Sequence, residues 1–70
     1  MTTIVLNGVS RELEAGATVA SAVGATGAPL AQGGLAVAVD GEVVPRGEWD
    51  RTPLREGQRV EVLQAVQGGA

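Results

Sequence analysis

Apolar and polar positions alternate in three stretches of the chain, and between them the period changes. In "TIVLNGVSREL", residues 3–13, Ile4 and Leu6 fall on one face of an extended segment and Val5 on the other, and beyond Asn7-Gly8 the residues Val9, Arg11 and Leu13 alternate with Ser10 and Glu12. Asn-Gly between two such runs suits the positive φ angles of a type I′ turn, so the pattern predicts an opening hairpin with Ile4, Leu6 and Leu13 turned to the core. After the break at Ala15-Gly16, Thr18 is a candidate N-cap, and Val19, Ala22 and Val23 recur at the i, i+3, i+4 spacing of one helical stripe. This predicts a short helix that ends between Gly24 and Gly27 and leans on tertiary packing for its stability. "GAPLAQGG", residues 27–34, reads as a loop. "LAVAVDGEVV", residues 35–44, reads as a second hairpin around Asp40-Gly41, with Leu35, Val37 and Val39 sharing a face.

Pro45 has no N–H to donate and stops that ladder, and Trp49 falls in a single helical turn. "REGQRVEVLQAV", residues 55–66, turns at Glu56-Gly57 and then alternates strictly, with Val60 and Val62 on one face and Glu61 and Leu63 on the other. Hairpin, helix, hairpin, helical turn and strand make an α+β chain. The compact closure places the last strand beside the first and parallel to it, with the helix in the crossover. That arrangement is a β-grasp, the ubiquitin-like fold: a mixed five-stranded sheet packed on one helix. It assigns residues 1–66 to one domain and 67–70 to a tail, and puts Ile4, Leu6, Val19, Val23, Val37, Val39, Val60 and Val62 in the core.

Composition removes most chemistries. The 70 residues contain no cysteine, histidine, tyrosine or phenylalanine, so the chain has no thiol nucleophile, no thiolate metal site and no proton shuttle that titrates near neutrality. An enzyme acting alone is not expected, and neither is a metal site. Five arginines against eight carboxylates give a net charge of −3 with a single aromatic residue, the wrong sign and too few stacking rings for a nucleic-acid binder. No apolar run approaches the ~20 residues of a membrane span, and "MTTIVLNG" lacks the charged region of a signal peptide; the expected setting is the cytoplasm.

The end of the chain, "VQGGA", carries the remaining candidate chemistry. A Gly-Gly segment has no Cβ, so it can lie extended in a channel too narrow for other residues. A terminal carboxylate presented this way is a poor electrophile until a partner adenylates it with ATP and magnesium, with positioning and charge neutralisation supplied by that partner. Gly-Gly ends also occur in plain linkers, for which no chemistry is needed.

In this context the chain resembles the ThiS family, the sulfur-carrier proteins of thiamine thiazole synthesis. The resemblance runs through the hairpin with Asn7, "AGATV", "LAVAVDGEVVPRGEW" and "EGQRVEVLQAVQGG", and its most specific part is "VVPRGEW", residues 43–49, with Val-Pro-Arg and a tryptophan three residues after the arginine. It implies that the terminal glycine is adenylated by a ubiquitin-activating-like adenylyltransferase (ThiF-type), becomes a thiocarboxylate, and donates sulfur to thiazole synthase (ThiG-type). On that reading Gly69 is the carrier residue and Gly68 its slender neck. With no cysteine to hold sulfur, an acyl group at the chain end is the attachment left.

Other readings stay open at this stage. Carriers for molybdopterin or cysteine synthesis share the fold and the tail, and a β-grasp interaction module with an inert tail needs the fold alone. Ala70 lies beyond the glycine at which the family ends, which leaves removal by a peptidase, an artefact of the gene, or a carrier that has lost its activity. Leu63, read as lying beside Val5 of the first strand, is either an ordinary surface leucine or, with Val5, a partner-docking patch at the root of the tail. Arg46 pairs with Glu42 or Glu48 or with a partner, Trp49 caps the core, and the acidic surface either solvates the chain or steers it to a basic partner.

Overall fold

A computed structural model describes residues 1–27 and 34–64 of the chain. The first hairpin is formed by β1 (Thr2–Leu6) and β2 (Val9–Leu13), the helix is α1 (Val19–Ala25), the second hairpin is β3 (Leu35–Val39) with β4 (Glu42–Val44), a 3₁₀ helix covers Arg46–Arg51, and β5 is Arg59–Gln64. Both hairpin turns have the conformation their dipeptides demand: φ is +50° at Asn7 and +83° at Gly8, and +50° at Asp40 and +86° at Gly41. These are the left-handed values of a type I′ turn, which asparagine, aspartate and glycine tolerate best.

The strands form one mixed sheet in the order β2-β1-β5-β3-β4. β1 and β5 run parallel at the centre, with Val5 opposite Arg59 and Leu6 opposite Val60, and β3 pairs antiparallel with β5 from Leu35–Gln64 to Val39–Val60. This is the predicted β-grasp closure. The boundary drawn between residues 66 and 67 lies outside the described residues.

One face of the sheet packs on α1. Ile4, Leu6, Val19, Val23, Val37, Val60 and Val62 are all buried as the period-2 and period-3.6 patterns require. Val39 is half-buried, because it sits at the end of its strand beside the Asp40-Gly41 turn, and Leu13 is half-buried because β2 is an edge strand. Ala17, Ala22, Trp49 and Leu54 complete the buried set. Leu54 and Ala17 meet where the chain segments around α1 and after the 3₁₀ helix run side by side: the Leu54 N–H donates to the Ala17 carbonyl at 2.9 Å, and the Val19 N–H donates to the Thr52 carbonyl at 2.9 Å.

Side chains close both ends of α1. Ser21 Oγ accepts from the Thr18 N–H at 3.0 Å, the reciprocal arm of a capping box. At the other end the Arg11 guanidinium donates to the Ala25 carbonyl at 3.0 Å, which places a cation on the negative end of the helix and ties β2 to it. Trp49 is 4% exposed, and its Nε1–H donates to the Val44 carbonyl at 2.9 Å. Arg46 lies over the indole, its guanidinium carbon 5.5 Å from the ring centroid. The expected lid on the core is thus a ring that fills space, satisfies its one donor and is covered by an arginine.

Candidate functional site

The candidate site is the outer face of the sheet around the end of β5, from which the chain continues toward the tail. Gly68, Gly69 and Ala70 lie outside the described residues; the last one described is Gln64. β5 alternates as read from the sequence, Val60 and Val62 inward, Glu61 and Leu63 outward, and Leu63 is 67% exposed. An exposed leucine on this face follows from parity alone, since any residue one step from buried Val62 must point away from the helix.

The neighbours of Leu63 differ from those expected. In the parallel β1–β5 pair Val5 stands opposite Arg59, four residues before Leu63, or about 13 Å along the strand at 3.3 Å per residue. Val5 is half-buried. The two residues share a face but not a patch, because β1 ends at Leu6 before it reaches the level of Leu63. What lies beside Leu63 is Ala36 of β3, its antiparallel partner, and one row further along Ala38 sits between Glu61 and Val43. Val43 is 75% exposed. The apolar surface near the root of the tail is therefore built from Leu63, Ala36, Ala38 and Val43, on β5, β3 and β4. The sequence carries the signal: Ala36, Ala38 and Val43 occupy the face opposite Val37 and Val39, where polar residues are usual on an uncovered antiparallel sheet.

On the other side of β5, Asn7 takes over where β1 stops. Its N–H donates to the Val60 carbonyl at 2.9 Å, its Oδ1 accepts from the Val62 N–H at 2.8 Å, and its Nδ2 donates to the Val62 carbonyl at 3.3 Å. The carboxamide thus satisfies both the N–H and the carbonyl of Val62, which a single trans peptide unit of β1 could not do, since its N–H and C=O point in opposite directions. Asp40 grips the opposite end of β5: its Oδ1 accepts from the Arg59 N–H at 3.0 Å, and its Oδ2 accepts from Gln58 Nε2 at 3.4 Å. Sequence reading assigned both residues to turns and missed this second use.

Among the described residues no group of three histidine, cysteine, aspartate or glutamate side chains is placed to hold a metal ion, and no helix is long and apolar enough to cross a membrane. No curated protein matches the chain. A solved structure of a thiamine biosynthesis protein (ThiS) from Geobacter metallireducens is similar, with a TM-score of 0.74 and 27% identity over 97% of this chain and 100% of that one. The ThiS family pattern matches residues 4–69, from the first buried side chain of β1 to the second glycine of the tail. With the match spanning the sheet, the helix and the Gly-Gly end together, the chain belongs to the ThiS family.

Proposed function

We propose that this protein is a sulfur carrier of thiamine biosynthesis, and that Gly69 is the residue that carries the sulfur. The observation that carries the reading is the extent of the family match, which ends at Gly69 and leaves Ala70 outside it. The chain is a cosubstrate of partner enzymes on this reading, and supplies one reacting group, the carboxylate of Gly69. One carboxylate oxygen attacks the α-phosphorus of ATP on an adenylyltransferase of the ThiF type, and magnesium pyrophosphate leaves. Hydrosulfide then attacks the acyl carbon, AMP departs with the bonding electron pair, and a thiocarboxylate remains. Thiazole synthase of the ThiG type receives the sulfur. The composition fits this division of labour, because a chain without cysteine or histidine has neither a thiol nor an imidazole to offer as nucleophile or base.

The test uses the chain ending at Gly69, purified adenylyltransferase, magnesium ATP and sodium sulfide. Pyrophosphate release followed by an intact mass in which one oxygen is replaced by sulfur is the expected result. No pyrophosphate and an unchanged mass return the protein to the class of inert β-grasp interaction modules.

Docking is assigned to the outer face at Leu63, Ala36 and Val43. Leu63→Asp is expected to keep the melting temperature within about 4 °C of wild type, the usual range for an exposed position. It is expected to weaken binding to the adenylyltransferase about tenfold or more, as loss of an apolar anchor does. Isothermal titration with both Leu63→Asp and Val43→Asp checks this, and full affinity in both variants removes the face from the interface. Val5 lies outside this patch, so a substitution such as Val5→Thr is expected to leave affinity within about twofold; a larger loss restores Val5 to the docking surface.

A further inference from the structure

We infer that Asn7 is a positioning residue for the carrier reaction: by pairing its carboxamide with Val62 it holds the β1 side of the end of β5, whose other side β3 pairs through Gln64, so that the C-terminal segment starts from a fixed strand. The inference rests on the carrier reading above. Three observations point to it. β1 ends at Leu6 while β5 continues to Gln64, so beyond Val60 the β1 side of β5 has no backbone partner from a strand. The Asn7 side chain fills that gap with both a donor and an acceptor, to the carbonyl and the N–H of the same residue, Val62. And Asn7 holds φ at +50°, the turn conformation that aims its side chain along the edge of β5.

The comparison with Asp40 shows why the two turns differ by one atom. Asp40 has the same φ of +50° and also grips β5, but its carboxylate receives hydrogen bonds from Arg59 and Gln58 and has no carbonyl to satisfy. An aspartate suffices there, being an acceptor only when ionised. At position 7 one partner is a carbonyl, so a carboxylate would face an oxygen lone pair, and only the amide supplies both roles. A type I′ turn by itself accepts asparagine, aspartate or glycine. The choice of asparagine therefore answers to Val62 and not to the turn.

Val62 is the last core residue of β5, and Gly69 follows it by seven residues in sequence. A partner that docks on the folded face must draw the carboxylate from that fixed origin. If the end of β5 frays, the tether lengthens, and residues released from the sheet must be ordered again each time the carboxylate enters the partner's site. The docking face is untouched by this, so the effect falls on turnover and not on binding.

Asn7→Gly keeps the turn and removes both side-chain bonds; Asn7→Asp keeps the turn and the acceptor and removes the donor. Each is made in the chain ending at Gly69 and compared with wild type at a temperature where circular dichroism shows all three fully folded, with sucrose added if a variant needs it. Pyrophosphate release on the adenylyltransferase is measured against carrier concentration, and amide hydrogen exchange is followed at Val62. For Asn7→Gly we expect faster exchange at Val62, a kcat about tenfold lower and a KM within about twofold; that fall corresponds to about 1.4 kcal/mol, the scale of ordering one residue's backbone. Asn7→Asp is expected to behave likewise.

A wild-type kcat in folded variants whose Val62 amide exchanges faster makes Asn7 a strand clamp only, and overturns the inference. A loss confined to KM overturns it too, as does failure of both variants to fold even in sucrose, which assigns the residue to the fold. Absence of turnover in the wild-type chain ending at Gly69 is the separate failure of the carrier reading, and it takes the role of Asn7 with it.

Discussion

Trp49→Ala is expected to leave the protein largely unfolded at 25 °C, or to lower its melting temperature by about 15–30 °C. A folded chain of 70 residues has roughly 4–10 kcal/mol of stability to lose. Truncating a buried tryptophan to alanine costs about 3–5 kcal/mol, and in a domain of this size each 1 kcal/mol moves the midpoint by about 4–8 °C. The size of the effect follows from three structural features of one side chain: it is 4% exposed, it belongs to the cluster with Val19, Val23 and Leu54, and its Nε1–H satisfies the Val44 carbonyl at the end of β4. Trp49→Phe separates the parts. It keeps most of the ring and loses the donor, for about 1 kcal/mol. Arg46→Ala removes the partner over the ring, a contact worth about 0.5–1 kcal/mol at an exposed site. Thermal unfolding followed by circular dichroism orders the three variants, and a fall of under about 5 °C in Trp49→Ala shows that the ring is not part of the core. The Phe variant also bears on function: full adenylation rate in folded Trp49→Phe is the result expected of a core residue that touches no ligand.

The sequence made legible what depends on a local rule. Asn7-Gly8 and Asp40-Gly41 announce their turns because few residues tolerate two successive positive φ angles, and the inward set on β5 follows from strict alternation. The parallel closure of β1 on β5 came from counting connections. What stayed hidden depends on which residues of different strands stand opposite one another. Periodicity places Val5 and Leu63 on the same face, but it says nothing of register, and a parallel offset of four residues separates them while Ala36 takes the place beside Leu63. Leu54 escaped for a similar reason: lying between Pro53 and a turn, it has no periodic neighbours, and only the pairing of its N–H with the Ala17 carbonyl turns it inward. The second use of Asn7 and Asp40 needs the third dimension altogether, since each grips a strand that is distant in sequence, Val62 lying 55 residues from Asn7.

The chain that ends at Gly69 is expected to be adenylated and to gain sulfur, and the chain that ends at Ala70 to do neither at a comparable rate. Ala70 adds one peptide unit and one methyl group, and moves the carboxylate by up to ~3.5 Å from where the carbonyl of Gly69 stood. A displacement of even ~1 Å from the reacting geometry costs about a hundredfold in rate, so retention of Ala70 is expected to slow pyrophosphate release by at least that factor. Within the chain ending at Gly69, Gly69→Val is expected to abolish adenylation while the melting temperature stays at the wild-type value. Position 69 lies seven residues beyond Val62 in sequence, and the buried core is built from residues between Ile4 and Val62, whereas a β-branched side chain is stiff at χ1 and bulky beside the reacting carbon. The three proteins are compared with purified adenylyltransferase, magnesium ATP and sodium sulfide, by pyrophosphate release and by intact mass. Sulfur gained by the longer chain as fast as by the shorter one, with Ala70 still present in the mass, makes the alanine the carrier residue. Equal rates with Ala70 lost from the mass instead show that the preparation trims itself or carries a peptidase, and assign the reaction to Gly69. Activity in Gly69→Val shows that neither the approach nor the adenylating site requires glycine at position 69.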